Sequence, residues 1–198
     1  MKNKQLYILK FAIIVCILCS AAISITAVGL KSQQAINVDI DRKKKILSAV
    51  GLANKVHALK SQSEMLKFYD DNIQSIVIDS TGSVKHGTRV EGLTPEEAKK
   101  TLAAYLLIQN KEVKAIAIPI EGKGLWSTLY GYLALDNDLN TVRGITFYKH
   151  GETPGLGGEI EKAWFTDNFI GKKIFDTDNN LVSITVIKGK VDEVINNA

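Results

Sequence analysis

Residues 125–149, LWSTLYGYLALDNDLNTVRGITFYK, contain two apolar runs separated by a short polar segment. The first run, Leu125 to Leu135, is rich in aromatic residues, as strands often are. The polar residues from Asp136 to Asn140 predict a turn, and Thr141 to Lys149 is expected to return as a second strand. This pattern predicts an antiparallel β-hairpin.

Further elements are predicted on both sides of this hairpin. Runs of apolar residues bounded by turn residues indicate strands, and Asp176 to Asn180 indicates a turn. A short helix is expected over Ile160 to Phe169. The additional predicted strands are Ile73 to Asp79, Val113 to Ile120 and a last one, Leu181 to Lys188. Because strands outnumber helices and adjacent strands are expected to pair mostly antiparallel, the predicted fold class is α+β with flanking helices.

Two helices have clear signals in the soluble part. Thr94 can cap a helix, Pro95 suits its first position and Glu97 completes a capping box, so a helix is predicted from Thr94 to Leu107. A second helix is predicted over residues 39–50 from the spacing of their apolar residues. The polar residues 31–38 are expected to form a short linker, and residues 54–72 are ambiguous.

The N-terminal segment from Phe11 to Leu30 carries no charged residue. Its length as a helix is roughly 30 Å, which matches a bilayer core. A cleavable signal peptide is the competing interpretation, but its apolar stretch is normally shorter. Lys2, Lys4 and Lys10 favour a cytoplasmic N-terminus. We therefore expect residues 1–30 to form a tail and a transmembrane anchor in the bacterial cytoplasmic membrane, with the remaining domain on the periplasmic side.

Charge and cysteine content exclude several classes of protein. Three of the 25 basic residues lie in the first 30 residues, so 22 basic and 21 acidic residues remain in the nearly neutral remainder. A nucleic-acid-binding domain would concentrate Lys and Arg there, so no nucleic acid is expected. Cys16 and Cys19 both lie in the apolar segment and are interpreted as small packing residues. His57, His86 and His150 are scattered without metal spacing, so no metal is predicted.

The segment His150–Glu159, HGETPGLGGE, contains four glycines and one proline. Glycine permits close approach of a ligand to the main chain, and Pro154 stiffens the loop. The residues alone leave two interpretations open, a plain surface turn and a loop that holds a flat heteroaromatic ring. The usual phosphate-binding motifs are missing.

Three stretches resemble the membrane FMN-binding domain family. HGETPGLGGEIE (150–161) is similar to its flavin loop, while GKGLWSTLYGYLAL (122–135) and GITFY (144–148) resemble the branch that supplies the FMN-carrying component of sodium-translocating NADH:quinone reductases. The corresponding component of the related Rnf complex shares ETPGLG. The resemblance implies an FMN-binding-type domain over residues 73–198, preceded by a linker and helical region over residues 31–72.

This resemblance also implies a cofactor, partners and a site. FMN would be attached covalently to a threonine by a flavin transferase and would carry electrons from NADH towards ubiquinone, coupled to sodium export. The partners would be the other subunits of the reductase and the lipid bilayer. Because the family members are components of an enzyme complex, the chain alone is not expected to be active. By motif match the FMN-lining residues would be Glu152, Thr153, Leu156, Gly157, Trp126 and Ser127.

The sequence departs from the family at the attachment motif. Ser-Gly-Ala-Thr followed by Thr or Ser is expected downstream of the strand matching Leu181 to Lys188, and no such motif occurs before Ala198. The chain is therefore expected to be a fragment or truncated product, with no covalent FMN threonine. The alternatives left open are the flavin component of an Rnf-type electron-transport complex and a membrane-tethered interaction domain without flavin.

Overall fold

The computed structural model describes residues 2–85, 90, 93–98 and 100–182, which divide into two compact units, Met1–Asp41 and Arg42–Ala198. The first helix, α1, spans Lys2–Leu47. Among the described residues one helix is long and apolar enough to cross a membrane, and it lies within Lys4–Ala58. In the first unit the large apolar side chains from Leu6 to Val38, such as Ile17 and Ile23, are exposed. Such a surface suits a lipid environment rather than water.

Residues 31–38 are helical, so the predicted linker is wrong at the level of secondary structure. Their polar side chains do not interrupt a helix because they include neither glycine nor proline. The helix predicted over residues 39–50 is confirmed, and it passes into a π-helical segment, Ser48–Leu52, in which Gly51 has φ +83°. The ambiguous residues 54–72 contain two helices, α2 over Ala53–Ala58 and α3 over Gln62–Asn72.

The second unit is built on a five-stranded antiparallel sheet in the order β1-β2-β3-β4-β5. Each strand therefore pairs with its neighbours in sequence, which confirms the predicted α+β class. The hairpin in residues 125–149 is confirmed as β4 and β5, although Leu125–Ser127 lies outside the strand. The strands are β1 Ile73–Asp79, β2 Thr101–Gln109, β3 Glu112–Lys123, β4 Thr128–Asp136 and β5 Val142–Lys149.

The helix predicted from Thr94 to Leu107 is wrong beyond its first turn. The capping box forms, since Glu97 N donates to Thr94 Oγ1 at 3.3 Å and Thr94 N donates to Glu97 Oε2 at 2.9 Å. The helix α4 nevertheless spans only Pro95–Ala98, and β2 begins at Thr101. Strand β2 pairs with β1 on one side and β3 on the other, so tertiary pairing overrides the helical preference of its alanines and leucines.

The chain after β5 is only partly helical. The helix predicted over Ile160–Phe169 is replaced by a 3-10 turn at Gly157–Glu161, a short α5 at Ala163–Thr166 and a second 3-10 turn at Asp167–Phe169. The turn predicted at 176–180 is confirmed by a hydrogen bond from Asp176 N to Asn180 O. Of the predicted last strand, Leu181 pairs with Phe175 in an isolated bridge, and residues 183–188 lie outside the described residues.

The core of this unit lies between one face of the sheet and the segment Ser48–Leu52. That segment packs on β3, β4 and β5. A side chain on Gly144 would come within 2.5 Å of Ala49 O, so the close approach requires glycine. Fully or almost fully buried apolar side chains include Leu47, Val50, Met65, Val77, Leu107, Tyr132 and Val142.

Candidate functional site

Two loops meet at one end of the sheet. The first, the 124–127 turn, joins β3 to β4, and the second, the glycine loop at residues 150–158, follows β5. Strand β4 pairs with β3 through Lys123 and Thr128 and with β5 through Tyr130 and Lys149. Because β4 pairs with both β3 and β5, the chain that enters β4 and the chain that leaves β5 lie side by side at the same end of the sheet. The hairpin therefore places two segments 25 residues apart in sequence side by side.

Side-chain hydrogen bonds join the two loops. Glu152 Oε1 accepts from Trp126 N at 3.1 Å and from Ser127 N at 3.2 Å. In return, Ser127 Oγ accepts from Gly151 N at 2.5 Å. We call this reciprocal pair of side-chain contacts the loop clasp. A carboxylate that accepts two main-chain N–H groups forms charge-assisted hydrogen bonds, which are stronger than neutral ones.

Glycines line the inside of the clasp. A Cβ on Gly124 would lie 2.4 Å from Glu152 Oε1, and one on Gly157 would lie 3.1 Å from Glu152 Oε2. Gly155 has φ +76°, a conformation that side chains disfavour. The tight turn around it is closed by Thr153 O, which accepts from Leu156 N at 3.1 Å and from Gly158 N at 3.0 Å. The glycines are thus explained by packing and backbone conformation.

A polar network fixes both flanks of the glycine loop. Glu161 binds His150 Nε2 through Oε1 and Lys45 Nζ through Oε2, each at 2.8 Å. Glu152 N donates to His150 Nδ1 at 3.3 Å. Burial raises the pKa of Glu161, but the hydrogen bonds and charges of Lys45 and then of His150 outweigh it, so the pKa lies below its ordinary value. The carboxylate therefore stays ionised at neutral pH.

Large apolar side chains on the two loops remain open to solvent. Leu125 is 83% exposed, Trp126 71% and Leu156 74%. Exposed apolar surface on a folded domain commonly marks a binding site. With an indole, a leucine and glycine-rich main chain on joined loops, this edge of the sheet has the chemistry required to cover a flat heteroaromatic ring such as that of FMN.

The structure brings all six predicted site residues onto these two adjacent loops. Their roles as FMN contacts remain predictions. Two of the side chains, Glu152 and Ser127, bind the opposite loop, while Thr153, Leu156 and Trp126 are exposed. The sequence did not indicate the contacts that Gly124, His150 and Glu161 make, although all three lie within residues 122–135 and 150–161. Trp164 is also exposed, at 65%.

Comparisons with known proteins fit this architecture. A family model of the FMN-binding domain matches residues 124–194, which include both loops. Residues 124–194 thus match the class of FMN-binding domains.

Relatives that match most of the chain identify its family more narrowly. The NqrC protein of the Na(+)-translocating NADH-quinone reductase from Vibrio alginolyticus is 36% identical, over 87% of this chain and 73% of that protein. Its Pseudomonas aeruginosa counterpart is 34% identical, over 93% of this chain and 78% of that protein. A crystal structure of the Parabacteroides distasonis protein matches with a TM-score of 0.66 and 30% identity, covering 80% of this chain and 77% of that one. This chain belongs to the NqrC family of Na(+)-translocating NADH-quinone reductases.

Proposed function

We propose that this chain carries FMN at the two-loop site and passes electrons within a sodium-pumping reductase, from NADH towards quinone, coupled to sodium export. Membership of the NqrC family supports the complex and the redox role. The observation that carries the proposal for this chain is the joining of the 124–127 turn to the glycine loop, with Trp126 and Leu156 exposed. FMN would supply the one-electron chemistry, and the protein would supply its position and surroundings.

The proposed roles of the site residues follow from their environment. Trp126 and Leu156 would cover the ring, because their side chains are large, apolar and exposed, one on each loop. Main-chain groups at Gly157 and the exposed side chain of Thr153 would meet its polar edge. Ser127 and Glu152 would lie at the margin of the site and hold the two loops together, since their polar atoms already bind the opposite loop.

The proposal places the domain beside a membrane. The apolar helix would anchor the chain in the cytoplasmic membrane, with residues 73–198 on the periplasmic side, and the partners would be the lipid bilayer and the other reductase subunits. Residues 1–198 contain no Ser-Gly-Ala-Thr sequence. We propose that residues 1–198 hold the flavin ring through the contacts of the two loops.

Flavin binding is tested by titrating FMN into the full chain in detergent and following the quenching of flavin fluorescence. We expect Trp126→Ala to weaken FMN binding by about tenfold, because stacking on an aromatic side chain contributes roughly 1–3 kcal/mol per ring. Trp164→Ala is the matched control, since it removes a comparably exposed indole from α5. Equal affinities for wild type and Trp126→Ala would remove Trp126 from the site, and absence of quenching by wild type would contradict FMN binding.

The redox role needs the complex. Membranes that contain the other reductase subunits are supplied either with this chain or with Leu156→Asp, which places a charge on the proposed ring contact. We expect sodium-stimulated, NADH-driven quinone reduction with wild type and a large loss with the variant. Full activity in membranes that lack the chain altogether would refute its place in the electron path.

A further inference from the structure

We propose that Glu152 is a positioning residue, whose carboxylate holds the 124–127 turn where Trp126 can meet the flavin, and that it makes no direct contact with the ring. The inference rests on the proposed function and changes the role that the family resemblance implies for this glutamate. It starts from the two hydrogen bonds that Glu152 Oε1 accepts, from Trp126 N at 3.1 Å and from Ser127 N at 3.2 Å.

The position of the carboxylate is fixed from several directions. Oε1 faces the 124–127 turn, where a Cβ on Gly124 would come within 2.4 Å of it. Oε2 faces the other way, into the glycine loop, where a Cβ on Gly157 would come within 3.1 Å. The glutamate side chain therefore fills the space between two glycines, one in each loop, and is directed into the protein rather than towards the open surface.

The main chain at Glu152 also forms hydrogen bonds. Its N–H donates to His150 Nδ1 at 3.3 Å, and Nε2 of the same ring lies 2.8 Å from Glu161 Oε1. The preceding residue, Gly151, donates its N–H to Ser127 Oγ. Residue 152 is thus bound on both sides, which is what a residue that sets the distance between two loops requires.

Trp126 itself depends on this arrangement. Its indole is 71% exposed, and its N–H donates to Glu152, which links the backbone of the turn to the glycine loop. Within the turn, Gly124 N donates to Ser127 O at 2.8 Å. A flat ring placed between the loops would be gripped only if this backbone stays in place. Preorganisation of this kind improves affinity by removing the cost of ordering a loop on binding.

Substitutions of Glu152 distinguish the effect of the length of its side chain from the effect of its charge. Gln keeps an oxygen at the same reach and can accept both N–H groups without a charge. Asp keeps the charge but is one methylene shorter, and Ala removes the acceptor. If Glu152 positions the turn, Gln is the conservative replacement and Asp is not. If Glu152 acts on the flavin through its charge, Glu152→Gln removes that effect.

The experiment uses the full chain in detergent, in a Trp164→Phe background in which Trp126 is the single tryptophan. Fluorescence anisotropy of Trp126 is measured without FMN, and the Kd for FMN is then measured on the same samples. We expect Glu152→Ala and Glu152→Asp to lower the anisotropy and to weaken FMN binding by about tenfold or more, since the loss of two hydrogen bonds has an effect on that scale. Glu152→Gln should retain most of both. Glu159→Ala, which removes the same charge further along the loop, is the control.

Two results would overturn the proposal. Unchanged Trp126 anisotropy in Glu152→Ala would show that the carboxylate does not hold the turn. Loss of FMN binding in Glu152→Gln as complete as in Glu152→Ala, at unchanged anisotropy, would show that the charge acts on the flavin directly. If wild type binds no FMN, the proposed function fails, whereas the anisotropy series still decides whether Glu152 orders the turn.

Discussion

Replacing Gly124 by alanine tests whether the loop clasp holds the site together. The added Cβ would lie 2.4 Å from Glu152 Oε1, 2.8 Å from Ser127 O and 2.9 Å from Leu129 Cδ2. Ordinary contact begins at 3.4 Å, so the carboxylate oxygen would have to move by about 1.0 Å. Such a move would lengthen the bonds to Trp126 N and Ser127 N from 3.1 and 3.2 Å to distances at which they no longer act as hydrogen bonds.

The cost of this substitution has two parts. Overpacking of this kind destabilises proteins by about 1–3 kcal/mol, which for a chain of this size lowers Tm by about 2–12 °C. Loss of the bonds to a charged acceptor should also weaken FMN binding by about tenfold, because the ligand would then have to order the 124–127 turn. Gly124 is not in the left-handed region, so these effects arise from the clash rather than from backbone strain.

Gly122 provides the matched control two residues away. A Cβ on Gly122 meets nothing within 4 Å, and the residue lies near the end of the same strand, β3. Gly122→Ala should therefore leave both Tm and the FMN affinity within about 0.5 kcal/mol of wild type. Both variants are compared in detergent by thermal unfolding and by FMN titration. If Gly124→Ala behaves like Gly122→Ala in both measurements, the close packing inside the clasp does not matter and the reasoning is refuted.

Three further outcomes are expected. Gly157→Val should weaken FMN retention on a desalting column, because a Cβ there already lies 3.1 Å from the clasp carboxylate and a branched side chain adds more atoms; unchanged flavin content would contradict this. Gly144→Ala should lower Tm by about 2–12 °C without moving the FMN affinity, since its Cβ would lie 2.5 Å from Ala49 O, away from the two loops. The lowered pKa of Glu161 means that its ion pair with Lys45 stabilises the fold above the unfolded pKa of about 4.3 and is lost as pH falls through the folded pKa. The Tm difference between wild type and Glu161→Gln should therefore shrink as the pH falls below about 4. A difference that persists undiminished at about pH 3 would show that ionised Glu161 does not stabilise the fold in this way.

The hairpin β4–β5 could be predicted because its signal is local. Alternation along Leu129–Leu133 and the polar turn at 136–140 reflect contacts between residues close in sequence. Strand β2 could not be predicted in this way. Its sequence, TLAAYLLIQ, is rich in helix-forming residues and follows a capping box that does form. What makes it a strand is pairing with β1 and β3, which no local pattern records.

The candidate site likewise combines features that are local in sequence with contacts between distant segments. Family motifs located the two loops and all six predicted residues, because the motifs are contiguous stretches of sequence. They did not indicate that Glu152 binds residues 126 and 127, since this contact joins segments 25 and 26 residues apart through the register of β4. The position of Trp164 in the predicted helix favours a core residue, and this interpretation is wrong because the side chain is 65% exposed. The helix α5 is too short for its sequence to show which face packs on the sheet.

Acidic residues of the motif at residues 150–161 contact other parts of the protein. Of the three glutamates in HGETPGLGGEIE, two are engaged by the protein itself, Glu152 by main-chain N–H groups and Glu161 by Lys45 and His150. A continuous path of hydrogen bonds therefore runs from Lys45 through Glu161 and His150 to Glu152 and on to Trp126. In this path the charged groups fix geometry, while the exposed side chains of the two loops include Leu125, Trp126, Leu156 and the uncharged Thr153. FMN held as proposed would therefore meet the uncharged side chains of Trp126, Leu156 and Thr153, and main-chain dipoles of the two loops would contribute to its potential.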